Sequence, residues 1–445
     1  MGKIYLRNIF LSGQLSDMFI SNGVICSIMP AGGELKEVGA DVEVVDCEGK
    51  TAIPGFVNMH THAAMSLMRG VGEDIAFHEW LDRIWRIEEK IDEEYVYHGT
   101  KVACLEMIKT GTTTFNDHYW HMPMARKAAL EMGLRPVLAY VICDRNTPEE
   151  SERQKVQCLE MYEEAQSWPE KSMFAIAIHA IYSVSEPMML WAVDFARERG
   201  LKIHIHLSET EKEIEDCKAL HGGMSPVEYL DSLGVLGPDV IAAHTLWLSP
   251  KDIEILGKRG VTCVHNVNSN LKLSSGYKFL YNELKEAGAN ICLGTDGCAS
   301  SNNLDMLETM KTSAMIQKAW RNDPTAMHME DVLAMATENA GKGLASRDLR
   351  TDILSCDSVL GKNIKTLIEQ KVQYYKNRKD RFIQILEKDR HISFGDFLII
   401  CLLDQDGINS KANIFIRVLL VIQAIIITFI SGYIYQIVYK ILDGE

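Results

Sequence analysis

Two hydrophobic rhythms divide the chain. Up to residue 47, apolar positions come in short alternating or β-branched runs at 3–8, 17–21, 24–29 and 41–47, split by Ser-Gly, Asn-Gly and Gly-Gly turn signals. Runs of this kind predict a small antiparallel sheet within residues 1–54. From Gly55 onward, compact apolar runs recur between longer segments whose apolar residues return every three or four positions. The compact runs are 55–62, 112–118, 135–142, 174–182, 202–209, 240–244, 261–266 and 289–296, which makes eight. Helical candidates between them include 94–110, 124–132, 187–199, 226–233, 250–259 and 277–287, several closed by a glycine (Gly133, Gly200, Gly260, Gly288) where a left-handed cap is cheap. Eight buried strands alternating with helices imply an α/β chain whose residues 55–345 form a parallel (β/α)₈ TIM barrel.

In such a barrel the chemistry lies at the C-terminal ends of the strands. Those ends carry His60 and His62 on the first run, His179 on the fourth, His206 with Glu209 on the fifth, His244 on the sixth, His265 on the seventh and Asp296 on the eighth. Two histidines at a spacing of two share one face of a strand, although a lone His-x-His pair reads as readily as hydrogen-bonded core. The chain has 14 histidines, and random placement would not gather so many at strand ends. His78, His98, His221, His328 and His391 fall in helices or tail and read as ordinary structural residues. His60, His62, His206 and Asp296 offer three nitrogens and one oxygen to a divalent ion, with a position left for water. Zinc suits this donor set first, and iron or manganese fit the same ligands. Water on such an ion ionises near neutral pH. Glu209 is then placed to carry protons to and from a substrate, His244 to orient the water, and Asp296 to take its proton.

Four segments, Gly55-Phe-Val-Asn-Met-His-Thr-His62, His204-Ile-His-Leu-Ser-Glu-Thr210, Ala242-Ala-His-Thr245 and Leu293-Gly-Thr-Asp-Gly297, resemble in this order the motifs of the amidohydrolase superfamily. More narrowly they are similar to its S-adenosylhomocysteine and 5'-methylthioadenosine deaminases, alongside guanine deaminases and triazine chlorohydrolases. The likeness covers about residues 1–345. It implies hydrolytic attack at C6 of an adenine ring, protonation of N1 by a glutamate at the Glu209 position, and loss of ammonia to give the inosine analogue. It also implies substrate contact by His179 and a ribose-binding carboxylate at Glu88. One carboxylate can accept from both hydroxyls of a vicinal diol, while beside Glu89 and Lys90 the same residue reads equally as a solvated helix position.

The chain departs from that pattern at Tyr140, where deaminases that accept homocysteine-type substrates carry an arginine. Arg145 and Arg153 are the available counterparts of a second family arginine. A tyrosine cannot hold a carboxylate bidentately, so methylthioadenosine, adenosine or another aminated heterocycle stands level with S-adenosylhomocysteine. In His265-Asn-Val-Asn-Ser-Asn270, Val267 replaces a proline common in the family, and Ser269 with Asn270 would otherwise be turn formers. His118 and His121 border the same region and read mainly as structural.

Composition narrows the partners. A formal net charge of −15 leaves no excess of Lys and Arg to neutralise phosphates, which argues against nucleic acid. Eleven single cysteines without a Cys-x-x-Cys pair fit free thiols in a reducing cytoplasm, and no signal-peptide core opens the chain. Past residue 345 the resemblance stops, and the segments that complete a small sandwich in the family are missing, leaving the sheet of 3–47 with an uncovered apolar face. Residues 362–390 hold nine Lys or Arg against four acidic residues, and 418–439 contains no charge. The latter would span about 33 Å as a helix, enough for a bilayer core, with Arg417 and Lys440 flanking it and Tyr433, Tyr435 and Tyr439 toward its far end. The tail of 346–445 therefore reads as a membrane anchor, as buried core, or as the product of a fusion or shifted frame. The expectation is a metal-dependent deaminase of an adenine nucleoside or thionucleoside, with a small-molecule substrate, membrane contact through 418–439 and self-association as its partners. Rivals are a guanine, pterin or triazine hydrolase, and a non-productive membrane-tethered remnant.

Overall fold

The computed structural model describes residues 2–344 apart from 12, 33–38, 40 and 170. Expectations for 362–390 and 418–439 lie outside the described residues. Among those described, no helix is long and apolar enough to cross a membrane, and all nine cysteines are free thiols.

Strands β1 (Lys3–Leu11), β2 (Gln14–Ser21), β3 (Val24–Pro30) and β4 (Val42–Asp46) form one small sheet in the order β3-β2-β1-β4. It corrects the antiparallel expectation, because β4 pairs with β1 in parallel. β3, antiparallel to β2, and β4 thus both run in the direction of β1. Val24, Ile25, Ile28 and Val44 are exposed on this sheet.

Eight parallel strands make the second sheet, in chain order: β5 (Phe56–Thr61), β6 (Thr112–His118), β7 (Arg135–Ile142), β8 (Met173–Ile178), β9 (Ile203–Leu207), β10 (Val240–His244), β11 (Thr262–His265) and β12 (Asn290–Leu293). Helices α1 (Phe77–Glu88), α2 (Glu93–Lys109), α3 (Met122–Met132), α4 (Pro148–Ala165), α5 (Glu186–Glu198), α6 (Glu211–Leu220), α7 (Pro226–Ser232), α8 (Pro250–Arg259), α9 (Val267–Lys272) and α10 (Tyr281–Glu286) connect them. After β12 come α11 (Cys298–Ser301), α12 (Met306–Arg321), α13 (Met329–Met335) and α14 (Glu338–Leu344). Each expected strand is present. The runs at 174–182, 202–209, 261–266 and 289–296 stop sooner than their apolar residues do. Several rim residues, Ser208, His244, Thr245 and Asp296, take left-handed backbone angles that end the ladder.

Alternate strand residues fill the barrel. Val57, Met59, Val137, Ala139, Ala175, Ala177, Ile241 and Val264 pack inside with Ala340 and Leu344 of α14. Outward-facing Ile176, Ile178, Ile203, Ile205 and Leu293 meet the helices. This is the two-layer burial that makes parallel strands read as continuous apolar runs. Between β12 and β5 the ring closes through side chains and loop: Asn58 Nδ2 donates to Thr295 Oγ1 at 2.7 Å, Thr295 N–H to Asn58 Oδ1 at 3.1 Å, and Asp296 N–H to the His60 carbonyl at 3.0 Å. Gly294 permits that seam, since a Cβ there would stand 2.8 Å from His60 Cβ. The first and last strands are thereby brought together at the rim.

Candidate active site

His60 is on β5 and His62 follows it; His206 is on β9; Asp296 lies three residues beyond β12. An extra residue in β5 between Asn58 and Thr61 resets the alternation that puts Val57 and Met59 inside, so that His60 and His62, two apart, both turn their imidazoles toward Asp296. Their Nε2 atoms stand 3.3 Å (His60) and 3.2 Å (His62) from Asp296 Oδ1, and His206 Nε2 is 3.3 Å from His62 Nε2. Donor atoms held about 2.0–2.1 Å from a tetrahedral ion lie about 3.3 Å from one another, so these three separations are those of neighbouring ligands on one ion, with His60, His62 and Asp296 mutually in reach and His206 beside them. His60 Nε2 is wholly buried and makes no hydrogen bond, the kind of orphan that an ion satisfies. On the far side of each ring, Nδ1 is tied down: His62 to the His118 carbonyl at 2.6 Å, His206 to the His179 carbonyl at 2.8 Å, and His60 to His204 Nε2 at 2.9 Å. Anchored Nδ1 atoms aim the Nε2 atoms at a common point. Burial first, then neighbouring imidazoles, hold His206 well below the ordinary histidine range; burial also lowers His60. Both rings are therefore neutral and free to lend a lone pair. These residues fit a divalent cation.

Asp296 is itself oriented. Ser269 Oγ donates to its Oδ2 at 2.6 Å and Gly297 N–H to its Oδ1 at 2.9 Å. His244 Nε2 sits between two carboxylates, 3.6 Å from Glu209 Oε2 and 3.9 Å from Asp296 Oδ2. Asn270 Nδ2 donates to His244 Nδ1 at 3.1 Å and Asn266 Nδ2 approaches it at 3.4 Å, which leaves the ring proton on Nε2, facing the acids. Burial, then Asp296 and Glu213, push Glu209 well above the usual carboxylate range. The shift favours its protonated form.

One cavity joins these groups to the remaining expected residues: His62, His206, Glu209, His244 and Asp296 line it with Glu88, His179 and the rings of Trp80 and Trp85. His179 Nδ1 is 2.7 Å from Ser183 Oγ, whose own hydroxyl donates to the Ala180 carbonyl. The imidazole must therefore donate there, which leaves Nε2 as an acceptor. Glu88, at the end of α1, is pushed up to about 7 by burial. It is a wall of the cavity and not the solvated helix residue that Glu89 is.

Tyr140 and Arg153 lie elsewhere. They line an outer cavity of about 1040 Å³ that meets the inner one at Trp85, Glu88 and Trp120. The Tyr140 hydroxyl donates back to Gln154 O at 3.3 Å, and Arg153 is held by Glu150 through Nε at 2.9 Å and by Gln157 at 3.0 Å. Arg145, 3.6 Å from Glu89, stacks over Trp85 at 5.0 Å. Seven carboxylates line this outer cavity against two arginines.

His265 takes no part in the cavity, stacking on Phe279 with Nδ1 at 3.2 Å from Ser313. His118 does line it, and its carbonyl anchors His62. His204, Ser269 and Asn270 contribute to the site from within segments that resemble the family's motifs, though no role was read for them. Glu213 was not singled out, and its only signal was its place in the first turn of the helix after β9.

A closed ring of eight parallel strands bearing three imidazoles and a carboxylate on its C-terminal rim defines a metal-dependent hydrolase of TIM-barrel form. Residues 51–345 match the model of the amidohydrolase family. The chain belongs to that family. It is 46% identical over 307 residues, 68% of this chain and 69% of the relative, to a 5'-deoxyadenosine deaminase of Methanoregula boonei. To a 5-methylthioadenosine/S-adenosylhomocysteine deaminase of Thermococcus sibiricus it is 44% identical, covering 74% and 76%. Among solved structures, an adenosine deaminase of Xanthomonas campestris with bound zinc superposes with a TM-score of 0.70 at 31% identity, covering 77% of this chain and 79% of that one.

Proposed function

We propose that the chain hydrolytically deaminates adenine nucleosides and 5'-thionucleosides, with zinc as its ion. The observation that carries the reading is the approach of His60 and His62 to Asp296, at 3.3 and 3.2 Å, with His206 3.3 Å from His62, beside the buried carboxyl of Glu209. Relatives named for deaminating 5'-deoxyadenosine and methylthioadenosine or S-adenosylhomocysteine support the substrate class, and the zinc of the Xanthomonas neighbour supports the metal. An ion held by those four residues supplies Lewis acidity, bringing the ionisation of water toward neutral pH.

The chain's own groups do the rest. Protonated Glu209 gives its proton to the ring nitrogen next to the amino-bearing carbon, which makes that carbon more electrophilic. The Nε2–H of His244, between Glu209 and Asp296, orients the attacking water. Asp296 takes the proton that water loses and passes it to the departing amino group. Ammonia leaves, the remaining hydroxyl proton returns to Glu209, and the ring keeps the oxygen as a carbonyl. His179 Nε2 accepts a hydrogen bond from the substrate, and Glu88 accepts from the two ribose hydroxyls. The 5' substituent points to the outer cavity. There Tyr140 is neutral and Arg153 is already held by Glu150, which favours small uncharged substituents over one carrying a carboxylate.

The test is ammonia release by the purified chain from adenosine, 5'-deoxyadenosine, 5'-methylthioadenosine, S-adenosylhomocysteine, guanine, a pterin and a triazine, with metal content measured on the same samples. Turnover of adenine nucleosides with one ion per chain, abolished by chelation and restored by zinc, is the expected result. Turnover confined to guanine, pterin or triazine, or undiminished in metal-free protein, refutes it.

A further inference from the structure

Glu213 lies in the first turn of α6 and is buried. Its carboxylate is spent on backbone: Oε1 accepts from Ser208 N–H at 2.9 Å and Oε2 from Glu209 N–H at 2.8 Å. In return, Glu213 N–H donates to Oγ1 of Thr210, the residue that caps the helix, at 3.1 Å. The three bonds close a ring around the segment that leaves β9. That segment is unusual in two respects. Ser208 is a non-glycine residue at φ +53°, a conformation that persists only where the surroundings impose it. Two successive N–H groups also point into protein, where neither β9 nor α6 supplies an acceptor.

Two adjacent donors need two acceptors. A carboxylate provides them; a glutamine of the same size has one oxygen, and its NH₂ would meet the second N–H. This explains why an acid is buried here, where burial pushes it up to about 7 and only backbone N–H groups pull it back. What the ring fixes is Glu209, whose Oε2 stands 3.6 Å from His244 Nε2 with Asp296 beyond.

We propose that Glu213 is the positioning residue for Glu209: its two carboxylate oxygens hold the Ser208–Glu209 backbone in the left-handed turn that points the Glu209 carboxyl into the cavity beside His244. The proposal rests on Glu209 being the proton donor of the reaction.

The experiment compares wild type, Glu213→Gln, Glu213→Asp, Glu209→Gln and the double variant Glu209→Gln/Glu213→Gln, each with one measurement independent of turnover. In Glu213→Gln, kcat for the nucleoside is expected to fall 10- to 100-fold with KM within threefold and metal content unchanged, and hydrogen exchange at residues 208–210 to quicken at least tenfold. Glu213→Asp, which keeps both acceptors, is expected to be at least fivefold more active than Glu213→Gln, and it carries the test through its exchange rates should the glutamine variant not fold. In the Glu209→Gln background, Glu213→Gln is expected to cost less than a further twofold. The proposal is overturned by a Glu213→Gln enzyme whose kcat stays within twofold of wild type, whatever its melting temperature. Losses that add fully to those of Glu209→Gln, or that follow loss of metal, also overturn it, as does a glutamine variant at least as active as the aspartate one. A wild type that deaminates none of the nucleosides refutes the functional reading instead, and unchanged exchange at 208–210 then overturns the positioning role separately.

Discussion

Replacing Ser269 by alanine isolates the hydrogen bond that aims Asp296. The Ser269 hydroxyl is buried and donates to Asp296 Oδ2 at 2.6 Å, while Oδ1 faces His60 and His62. The substitution deletes one oxygen and introduces no clash. A hydrogen bond to a buried charged group contributes about 1.5–3 kcal/mol, and about 1.4 kcal/mol is a factor of ten. Gly297 N–H still holds Oδ1 at 2.9 Å, so the loss belongs in the lower part of that range, about 10- to 50-fold in metal affinity. The assay is competition with a chromogenic chelator on protein shown to be folded by circular dichroism, with kcat measured at saturating zinc. A folded Ser269→Ala protein that retains metal within twofold of wild type would refute the reasoning, because Asp296 would then not depend on that hydroxyl for its direction.

Glu209→Gln should lower kcat by about 10²–10⁴ while leaving KM within threefold and metal content at the wild-type level; turnover assays and mass spectrometry check both. Glu88 carries a pH signature. Its folded-state value of about 7 lies above the ordinary 4.5, so between those two values the folded state binds more protons than the unfolded one, and the stability contributed by the neutral form is lost as pH rises. In metal-free protein, Glu88→Gln should therefore raise the melting temperature relative to wild type above pH 7, with the difference shrinking toward pH 4.5. A difference that does not change with pH would contradict the burial argument. Gly99→Ala should destabilise the fold, since a Cβ on α2 would stand 2.5 Å from the Ala64 carbonyl and 2.9 Å from its Cα. Forced repacking of this kind costs about 1–3 kcal/mol, seen as a drop of a few degrees in calorimetry.

The barrel was legible because each strand is buried on both faces, so its apolar residues run without a break. His60 and His62 were legible because alternation fixes which face a side chain takes. Asp296 and Glu209 were named from their place at the ends of strand-like runs and from their motifs, and their direction was not legible. They lie past the ends of β12 and β9, and a residue beyond a strand owes its direction to the loop, which depends on distant partners such as Asn58 and Thr295 at the seam. Glu213 was hidden for the same reason. In sequence it sits among Glu211, Lys212 and Glu215 and looks like part of a solvated helix face; only the left-handed turn at Ser208 brings two N–H groups to its carboxylate. Ser269 and Asn270 read as turn formers, yet α9 turns them toward Asp296 and His244. The parallel entry of β4 was also out of reach, because alternating runs specify a pleated face and not the direction in which a strand is crossed.

The acid-lined outer chamber bears on what the enzyme leaves alone. A nucleotide would bring a doubly charged phosphate to the side where Glu89, Glu93, Glu160 and Glu164 gather and Arg153 is already committed to Glu150. Each like charge about 5 Å away adds close to 1 kcal/mol of repulsion even at the dielectric constant of water. If the chain acts as proposed, mono-, di- and triphosphates are expected to be poorer substrates than dephosphorylated molecules with the same base, and ammonia release from AMP at the rate seen with adenosine would refute this consequence.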